Sequence, residues 1–167
     1  GQGTDARPET QGPEAQLPDI FNRYRKEVDK ELHVTMPRYP SGLDVLLRYH
    51  MGWVDRYGDA VTTAVSQGKS LRPTLCLFSC EAVGGRWKAA LGAAAALEHI
   101  HNFSLIHDDI QDKDVERHHR PTVWAVWGQP RALVAGDAMR GLSEAAVHRL
   151  LEHGVSSEVA FRASALL

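Results

Sequence analysis

Residues His99–Thr122 read H-I-H-N-F-S-L-I-H-D-D-I-Q-D-K-D-V-E-R-H-H-R-P-T. Three aspartates, Asp108, Asp109 and Asp112, end an apolar, alanine-rich segment, and a basic cluster follows them directly. That cluster consists of Lys113, Arg117, His118, His119 and Arg120. So many carboxylates beside so much positive charge indicate a site for a metal ion and a phosphate group.

The segment before the aspartates predicts a long helix. Residues 89–111 have no glycine after Gly92 and no proline, and they are rich in alanine and leucine. On such a helix Asp108 and Asp112 share a face, and His101 lies on that face two turns earlier. A divalent cation would offset the repulsion between the two carboxylates. Carboxylate oxygens are suitable ligands for magnesium, which also binds phosphate oxygens. The competing interpretation of the three aspartates is a solvated acidic helix end.

A second motif, Gly68-Lys69-Ser70-Leu71-Arg72-Pro73, predicts the start of another helix. Gly68 permits a turn, Ser70 is a candidate N-cap, and Pro73 fits the first helical turn. Lys69 and Arg72 oppose the helix dipole there, but they are well placed to hold an anion together with backbone N–H groups. Two solvated surface cations are the alternative.

Composition places the chain among ordinary globular proteins. It has 167 residues, 43% apolar content and a formal net charge of −2, which gives no sign of nucleic-acid binding. Cys76 and Cys80 have no partner pair, so we interpret them as reduced core residues. No apolar run is long enough to span a membrane, and the chain shows no signal-peptide pattern, so we expect a cytoplasmic protein.

The remaining segments also favour helices, which predicts an all-α fold, an antiparallel helix bundle. Residues 1–16 are expected to form a disordered tail and residues 17–167 a helical domain. Ser41 is a candidate cap for a helix extending to about Tyr57, and residues 129–153 predict a long helix that Gly136 and Asp137 interrupt. A further helix is expected from Val155 with Ser156 or Ser157 as its cap, and Trp124 and Trp127 are interpreted as packing residues.

The chain resembles the trans-polyprenyl diphosphate synthases. The resemblance extends from Gly68 to about Ala138 and depends on G-K-S-L-R-P, S-L-I-H-D-D-I-Q-D, R-H-H-R-P-T-V-W and Gly136-Asp137, in the family's order and at about its spacing. It implies the isoprenoid synthase type of helix bundle, apparently incomplete here because the chain corresponds to the N-terminal half of family members. It also implies an enzyme that condenses an allylic diphosphate with isopentenyl diphosphate by Mg²⁺-assisted ionisation.

The resemblance also assigns roles to residues. Asp108 and Asp112 would hold Mg²⁺ ions that bridge to the allylic diphosphate, with Asp109 in support and Arg117 contacting the same diphosphate. Isopentenyl diphosphate would be bound by Lys69, Arg72 and His101. His118 is also assigned to substrate binding. The family has a second arginine at that position, so an imidazole there is expected to weaken binding of isopentenyl diphosphate. Its second aspartate-rich motif has no counterpart after Asp137.

Product length is expected to depend on the residues just before the first aspartate. Ser104 leaves the path of the growing chain open, whereas the ring of Phe103 narrows it. This pairing resembles synthases that stop at a short product, so we predict about twenty carbons, with fifteen as the next alternative.

Two other functions are compatible with these residues. A non-catalytic prenyl-synthase-like subunit is favoured by His118 and by the absent second motif. A metal-dependent phosphohydrolase of the His-Asp type is suggested by the adjacent pair His107-Asp108 and by the nearby histidines. The expected partners are the two diphosphates, together with a second copy in a homodimer, or a second chain or segment that completes the bundle.

Overall fold

The computed structural model describes residues 19–36, 38–61 and 70–167. The expected N-terminal tail, residues 1–16, lies outside these ranges. Seven helices are described: α1 (Asp19–Thr35), α2 (Leu43–His50), α3 (Leu71–Ala82), α4 (Leu91–Gln111), α5 (Val123–Trp127), α6 (Gln129–Glu152) and α7 (Ser157–Ser164). A 3-10 turn, Trp87–Ala90, precedes α4, and two short strands, β1 (Glu116–Arg117) and β2 (Arg120–Pro121), form an antiparallel hairpin before α5. The all-α class is confirmed.

Helices α4 and α6 form the centre of the fold and lie unusually close to each other. A Cβ atom on Gly92 of α4 would stand 2.6 Å from the carbonyl oxygen of Ala146 and 3.1 Å from the amide nitrogen of Leu150 in α6. Both neighbours are backbone atoms, so the separation of the two helices depends on the missing side chain. This contact explains why the sequence has a glycine at the beginning of a long helix.

The first part of the core surrounds the N-terminal half of α4. The alanines of α4 pack against the apolar face of α1 and against one side of α6. On α1, the side chains of Tyr24, Val28 and Leu32 are almost fully buried. Helix α3 adds Leu77, while Leu75 and Phe78 are exposed. The apolar sequence of α3 therefore contributes less to the described core than its composition suggests.

The second part of the core lies near the C-terminal half of α4 and includes α2 and α5. Leu47, Ile106, Val123 and Met139 are among its almost fully buried members. Trp124 and Trp127 pack against this cluster, in agreement with the expected packing role.

Two expectations about helix extents were wrong, and the predicted N-cap of α3 is confirmed in position but not in hydrogen bonding. Helix α2 begins after Gly42, not at a Ser41 cap, and it ends at His50, because Gly42 and Gly52 both have positive φ angles. Ser70 occupies the N-cap position of α3 but makes no capping hydrogen bond with its side chain. Helix α6 continues through Gly136 and Asp137 without interruption.

The C-terminal helix follows its sequence signals. Ser156 caps α7 by accepting a hydrogen bond from the backbone N–H of Val159. In the part of the chain that the structure describes, no helix is long and apolar enough to cross a membrane.

Candidate active site at the C-terminal end of α4

The three aspartates lie where α4 ends, but they face different surroundings. Asp108 is exposed and Asp109 is buried. Asp112 is the C-cap residue, is also exposed, and donates its backbone N–H to the carbonyl oxygen of Asp108 at 2.8 Å. Asp112 therefore keeps the helical geometry that places its side chain one turn from that of Asp108.

The chain leaves α4 through a left-handed residue. Lys113 has a φ of 59°, and the N–H of Asp114 bonds the carbonyl oxygen of Asp109 at 2.9 Å. This is the Schellman pattern that commonly ends helices, with lysine at the position that glycine usually takes. It turns the backbone sharply, so that the basic segment folds back beside the aspartates.

Arg117 of β1 pairs with the buried aspartate. Its Nε and Nη2 atoms donate to Oδ1 of Asp109 at 2.9 Å and 2.7 Å. Burial raises the pKa of the Asp109 carboxyl, and the guanidinium opposes that rise; the same pair raises the pKa of Arg117. Asp109 is thus committed to holding Arg117, which agrees with a supporting role and leaves Asp108 and Asp112 to face solvent.

The hairpin that carries Arg117 is anchored at its other strand. The guanidinium of Arg120 in β2 donates to the carbonyl oxygens of Tyr49 (3.1 Å) and Val54 (2.8 Å), and lies 4.2 Å above the Tyr49 ring. Between the two arginines, His118 and His119 both have positive φ angles, the geometry of a type I′ turn. Within the basic cluster, Arg117 and Arg120 are therefore held by hydrogen bonds, whereas His118 and His119 at the turn are exposed.

His101 lies within the same electrostatic environment. Burial lowers the pKa of His101, Arg72 and Arg117 lower it further, and Asp108 raises it. His101 and Asp108 are seven residues apart on α4, so the observed helix places them on the same face, two turns apart. Lys69, assigned with Arg72 to the same anion, lies outside the described residues.

A cavity of about 130 Å³ opens beside these groups. His101, Asp109, Arg117 and His118 line it, together with residues to which the sequence had assigned no role at the site. The additional polar ones are Asp29, Tyr49, His50, Ser70, Glu98, Asn102, Arg120 and Thr122.

A hydrogen-bonded chain follows one wall of this cavity. Nε2 of His50 lies 3.0 Å from Oδ1 of Asn102, whose Nδ2 donates to the carbonyl oxygen of Glu98 at 2.8 Å. Burial lowers the pKa of His50 to about 4 and raises that of Glu98. Glu98 and Asn102 are four residues apart on α4, so helical spacing could have predicted their hydrogen bond. His50 lies on α2, and nothing in the sequence indicated that it would contact Asn102.

The two residues expected to control product length occupy different positions. Phe103 packs against the second part of the core and meets His107 edge to face, with 4.8 Å between ring centroids. Ser104 donates its hydroxyl to the carbonyl oxygen of His101 at 2.7 Å, so its side chain bonds its own helix.

The donor set fits Mg²⁺, although no preformed cage exists. Within residues 19–36, 38–61 and 70–167, no three His, Cys, Asp or Glu side chains are grouped as ligands of a metal ion. Magnesium usually binds one or two carboxylates, keeps several waters and takes the remaining oxygens from a phosphate. The two exposed carboxylates of Asp108 and Asp112, one helical turn apart, meet that requirement, although neither is among the residues that line the cavity.

Comparison with known proteins identifies the family. The model of the polyprenyl synthetase family matches residues 54–164, which is more than half of the chain. The chain belongs to the polyprenyl synthetase family. The resemblance seen in the motifs is thereby confirmed.

Curated members of the polyprenyl synthetase family include relatives from Mycobacterium tuberculosis (strain ATCC 25618 / H37Rv). A (2E,6E)-farnesyl diphosphate synthase is 47% identical over 98 residues, covering 59% of this chain and 27% of that protein. A geranylgeranyl diphosphate synthase is 38% identical over 120 residues, covering 72% of this chain and 34% of that protein.

A solved structure shows the same fold. The crystal structure of a polyprenyl synthetase from Streptomyces coelicolor A3(2) matches with a TM-score of 0.72 and 34% identity, covering 87% of this chain and 43% of that one. The chain therefore spans between about a quarter and less than half of the length of these relatives.

Proposed function

We propose that this polyprenyl synthetase chain belongs to a short-chain prenyl diphosphate synthase, which joins an allylic diphosphate to isopentenyl diphosphate. The observation that carries the proposal is the end of α4, where exposed Asp108 and Asp112 lie beside the buried Asp109–Arg117 pair. Support comes from relatives named as farnesyl and geranylgeranyl diphosphate synthases.

The reaction begins when the allylic C–O bond breaks and its electron pair leaves with pyrophosphate. The double bond of isopentenyl diphosphate then attacks the carbocation, a C–C bond forms, and loss of a proton restores a double bond. Mg²⁺, held by Asp108 and Asp112 when bound, supplies positive charge to the leaving diphosphate. No side chain needs to act as a nucleophile.

The chain's own residues supply the remaining functions. Arg117, fixed by Asp109, places a permanent charge beside the developing pyrophosphate. His101, Arg72 and Lys69 are assigned to the diphosphate of isopentenyl diphosphate. Of these, His101 lines the cavity, together with His118. Phe103 limits the apolar groove that receives the growing chain, which we propose ends at about twenty carbons.

The activity is tested with radiolabelled isopentenyl diphosphate and allylic diphosphates of five, ten and fifteen carbons. We expect Mg²⁺-dependent formation of longer labelled products and release of pyrophosphate. Absence of transfer with all three allylic substrates, while the protein stays folded, would contradict a catalytic function for this chain.

A second candidate, a non-catalytic diphosphate-binding subunit, is favoured by His118, which has only a titratable imidazole where the family has an arginine. Pyrophosphate binding without turnover would support it. In an active protein, His118→Arg is expected to lower KM for isopentenyl diphosphate, because arginine adds a permanent charge and a paired donor.

In the described part of the chain, two of the histidines on which the phosphohydrolase alternative depends are used for packing. His99 is buried against Thr35 and His107 packs on α6, so they do not converge with Asp108 as metal ligands.

Chain-length control has its own test. Phe103→Ala is expected to lengthen the product by at least one isoprene unit, because removal of the ring opens the groove. Ser104→Ala is the control, since the Ser104 hydroxyl bonds its own helix. Unchanged product length in Phe103→Ala would assign the barrier to another residue.

A further inference from the structure

The residue before the aspartates, His107, occupies a closely fitted position between α4 and α6. Its Nε2 lies 3.2 Å from the carbonyl oxygen of Leu133 and 3.8 Å from Oδ1 of Asp137, both in α6. Its ring meets Phe103 on the other side at an interplanar angle of 69°. The imidazole is thus held by one polar and one aromatic contact, with a carboxylate close by.

Gly136 provides the space for this ring. A Cβ atom on Gly136 would overlap Nε2 and Cδ2 of His107 and would lie 3.2 Å from Cε1. Five residues later on the same helix, a Cβ on Gly141 would meet nothing within 4 Å. The absence of a side chain at Gly136 is therefore required by His107, whereas at Gly141 it is not required by any neighbouring atom among the described residues.

The position of His107 determines where the next two side chains point. Successive residues of a helix are rotated by about 100°, so a residue held against α6 sets the directions of Asp108 and Asp109. In the structure Asp108 is exposed and Asp109 faces inward to Arg117. Helix α6 has 24 residues and provides a firm support for this arrangement.

We propose that His107, seated on Gly136 and bonded to the Leu133 carbonyl, is a positioning residue that orients Asp108 and Asp109 for a divalent cation and a diphosphate. The inference rests on the proposed function, because it concerns the same cation and diphosphate site. It gives Gly136 in α6 a physical role, whereas the sequence had marked this glycine as a break in the helix and as part of a family motif.

The test measures binding of Mn²⁺ and inorganic pyrophosphate to the full chain. Mn²⁺ has the same preference for oxygen ligands as Mg²⁺ and can be followed by electron paramagnetic resonance. Gly136→Ala is expected to weaken binding about tenfold or more, because the new methyl group displaces the ring. Gly141→Ala is the matched control and should bind within about twofold of wild type. Equal binding by Gly136→Ala and wild type would overturn the proposal.

Two further variants separate positioning from folding, with melting temperatures recorded for all proteins. His107→Gln keeps an N–H that can reach the Leu133 carbonyl and should retain most of the affinity. His107→Ala/Gly136→Ala relieves the overlap but lacks the hydrogen bond, so it should be folded and still bind about tenfold more weakly. Wild-type affinity in this double variant would show that the ring only occupies space and would overturn the proposal.

Failure of the proposed function gives a different result. Wild-type protein that does not bind Mn²⁺ with pyrophosphate would contradict the diphosphate site itself. If the wild-type protein does bind Mn²⁺ with pyrophosphate, the positioning role is overturned when the variants bind as tightly as the wild type.

Discussion

The two ends of α4 differ in what holds them to the rest of the molecule. At the N-terminal end, Gly92 and Ala94–Ala96 pack into an apolar core against α1 and α6. At the C-terminal end the buried side chains include Asn102 and Asp109, and their contacts are hydrogen bonds and an ion pair.

The difference shows how one helix can serve both stability and chemistry. Burial of apolar surface is non-directional, so the first half of α4 needs only close approach. Buried polar groups need particular partners, so each polar side chain at the other end has a fixed direction. Substitutions at the N-terminal end should therefore change the free energy of unfolding, and those of the exposed C-terminal groups should change ligand binding and turnover.

The largest expected effect is on stability, at the N-terminal end. Gly92→Ala places a methyl group against backbone atoms of α6 that cannot rotate away, so the free energy of unfolding should fall by about 3 kcal/mol. Urea unfolding measures this, with Gly141→Ala as the control that should not destabilise. An equally stable Gly92→Ala protein would show that α4 and α6 can separate without loss.

The next effect is on catalysis, at the C-terminal end. Asp108→Ala should reduce prenyl transfer about a hundredfold or more, which corresponds to about 2.7 kcal/mol in the activation barrier. Because Asp108 is exposed, the free energy of unfolding should stay within about 0.5 kcal/mol of wild type. Near-normal kcat at saturating Mg²⁺ would remove Asp108 from the metal site.

A third effect concerns His99, at the boundary between the two halves. Its Nε2 lies 2.7 Å from Oγ1 of Thr35, its Nδ1 has no partner among the described residues, and burial lowers its pKa to about 4. The unfolded chain gains a proton near pH 6.5 while the folded protein stays neutral to about pH 4. Acidification from pH 7 to pH 5 should therefore cost about 2 kcal/mol of stability through this residue.

This prediction is checked by urea unfolding at both pH values. His99→Gln retains a donor for Thr35 but does not titrate, so its loss of stability between pH 7 and pH 5 should be about 2 kcal/mol smaller than that of wild type. Identical losses in the two proteins would mean that His99 does not titrate as its burial requires.

The smallest effect is expected at the hairpin tip beside the aspartates. His119 has a φ of 60°, a conformation that costs an L-residue about 1–2 kcal/mol and glycine very little. Since glycine also loses more backbone entropy on folding, His119→Gly should raise the free energy of unfolding by at most about 1 kcal/mol. A lower stability would mean that His119 makes a stabilising contact beyond its weak pairing with Glu116.

Sequence reasoning was most successful where structure depends on neighbouring residues. The helix that ends in the aspartates, the proximity of His101 to Asp108 and the cap at Ser156 all follow from local spacing. Sequence reasoning was least successful in predicting the structural role of glycines. Gly136 was expected to interrupt α6, yet the helix continues and the glycine accommodates His107 instead.

The partners of the site residues were also beyond local reasoning. Arg117 was assigned to the substrate, but its bonds to Asp109 depend on the left-handed turn at Lys113 that folds the hairpin back. The hydrogen bond between His50 and Asn102 joins α2 to α4, which are far apart in sequence.

The sequence by itself determined the all-α class and the position of the aspartates, because helical periodicity and charge spacing are properties of consecutive residues. Its motifs carried the resemblance to the family. Only the tertiary structure decided that Asp109 faces Arg117 while Asp108 faces solvent, and that His107 rests on Gly136. These outcomes depend on how closely α4 and α6 approach, and that distance is set by side chains, or their absence, on both helices at once.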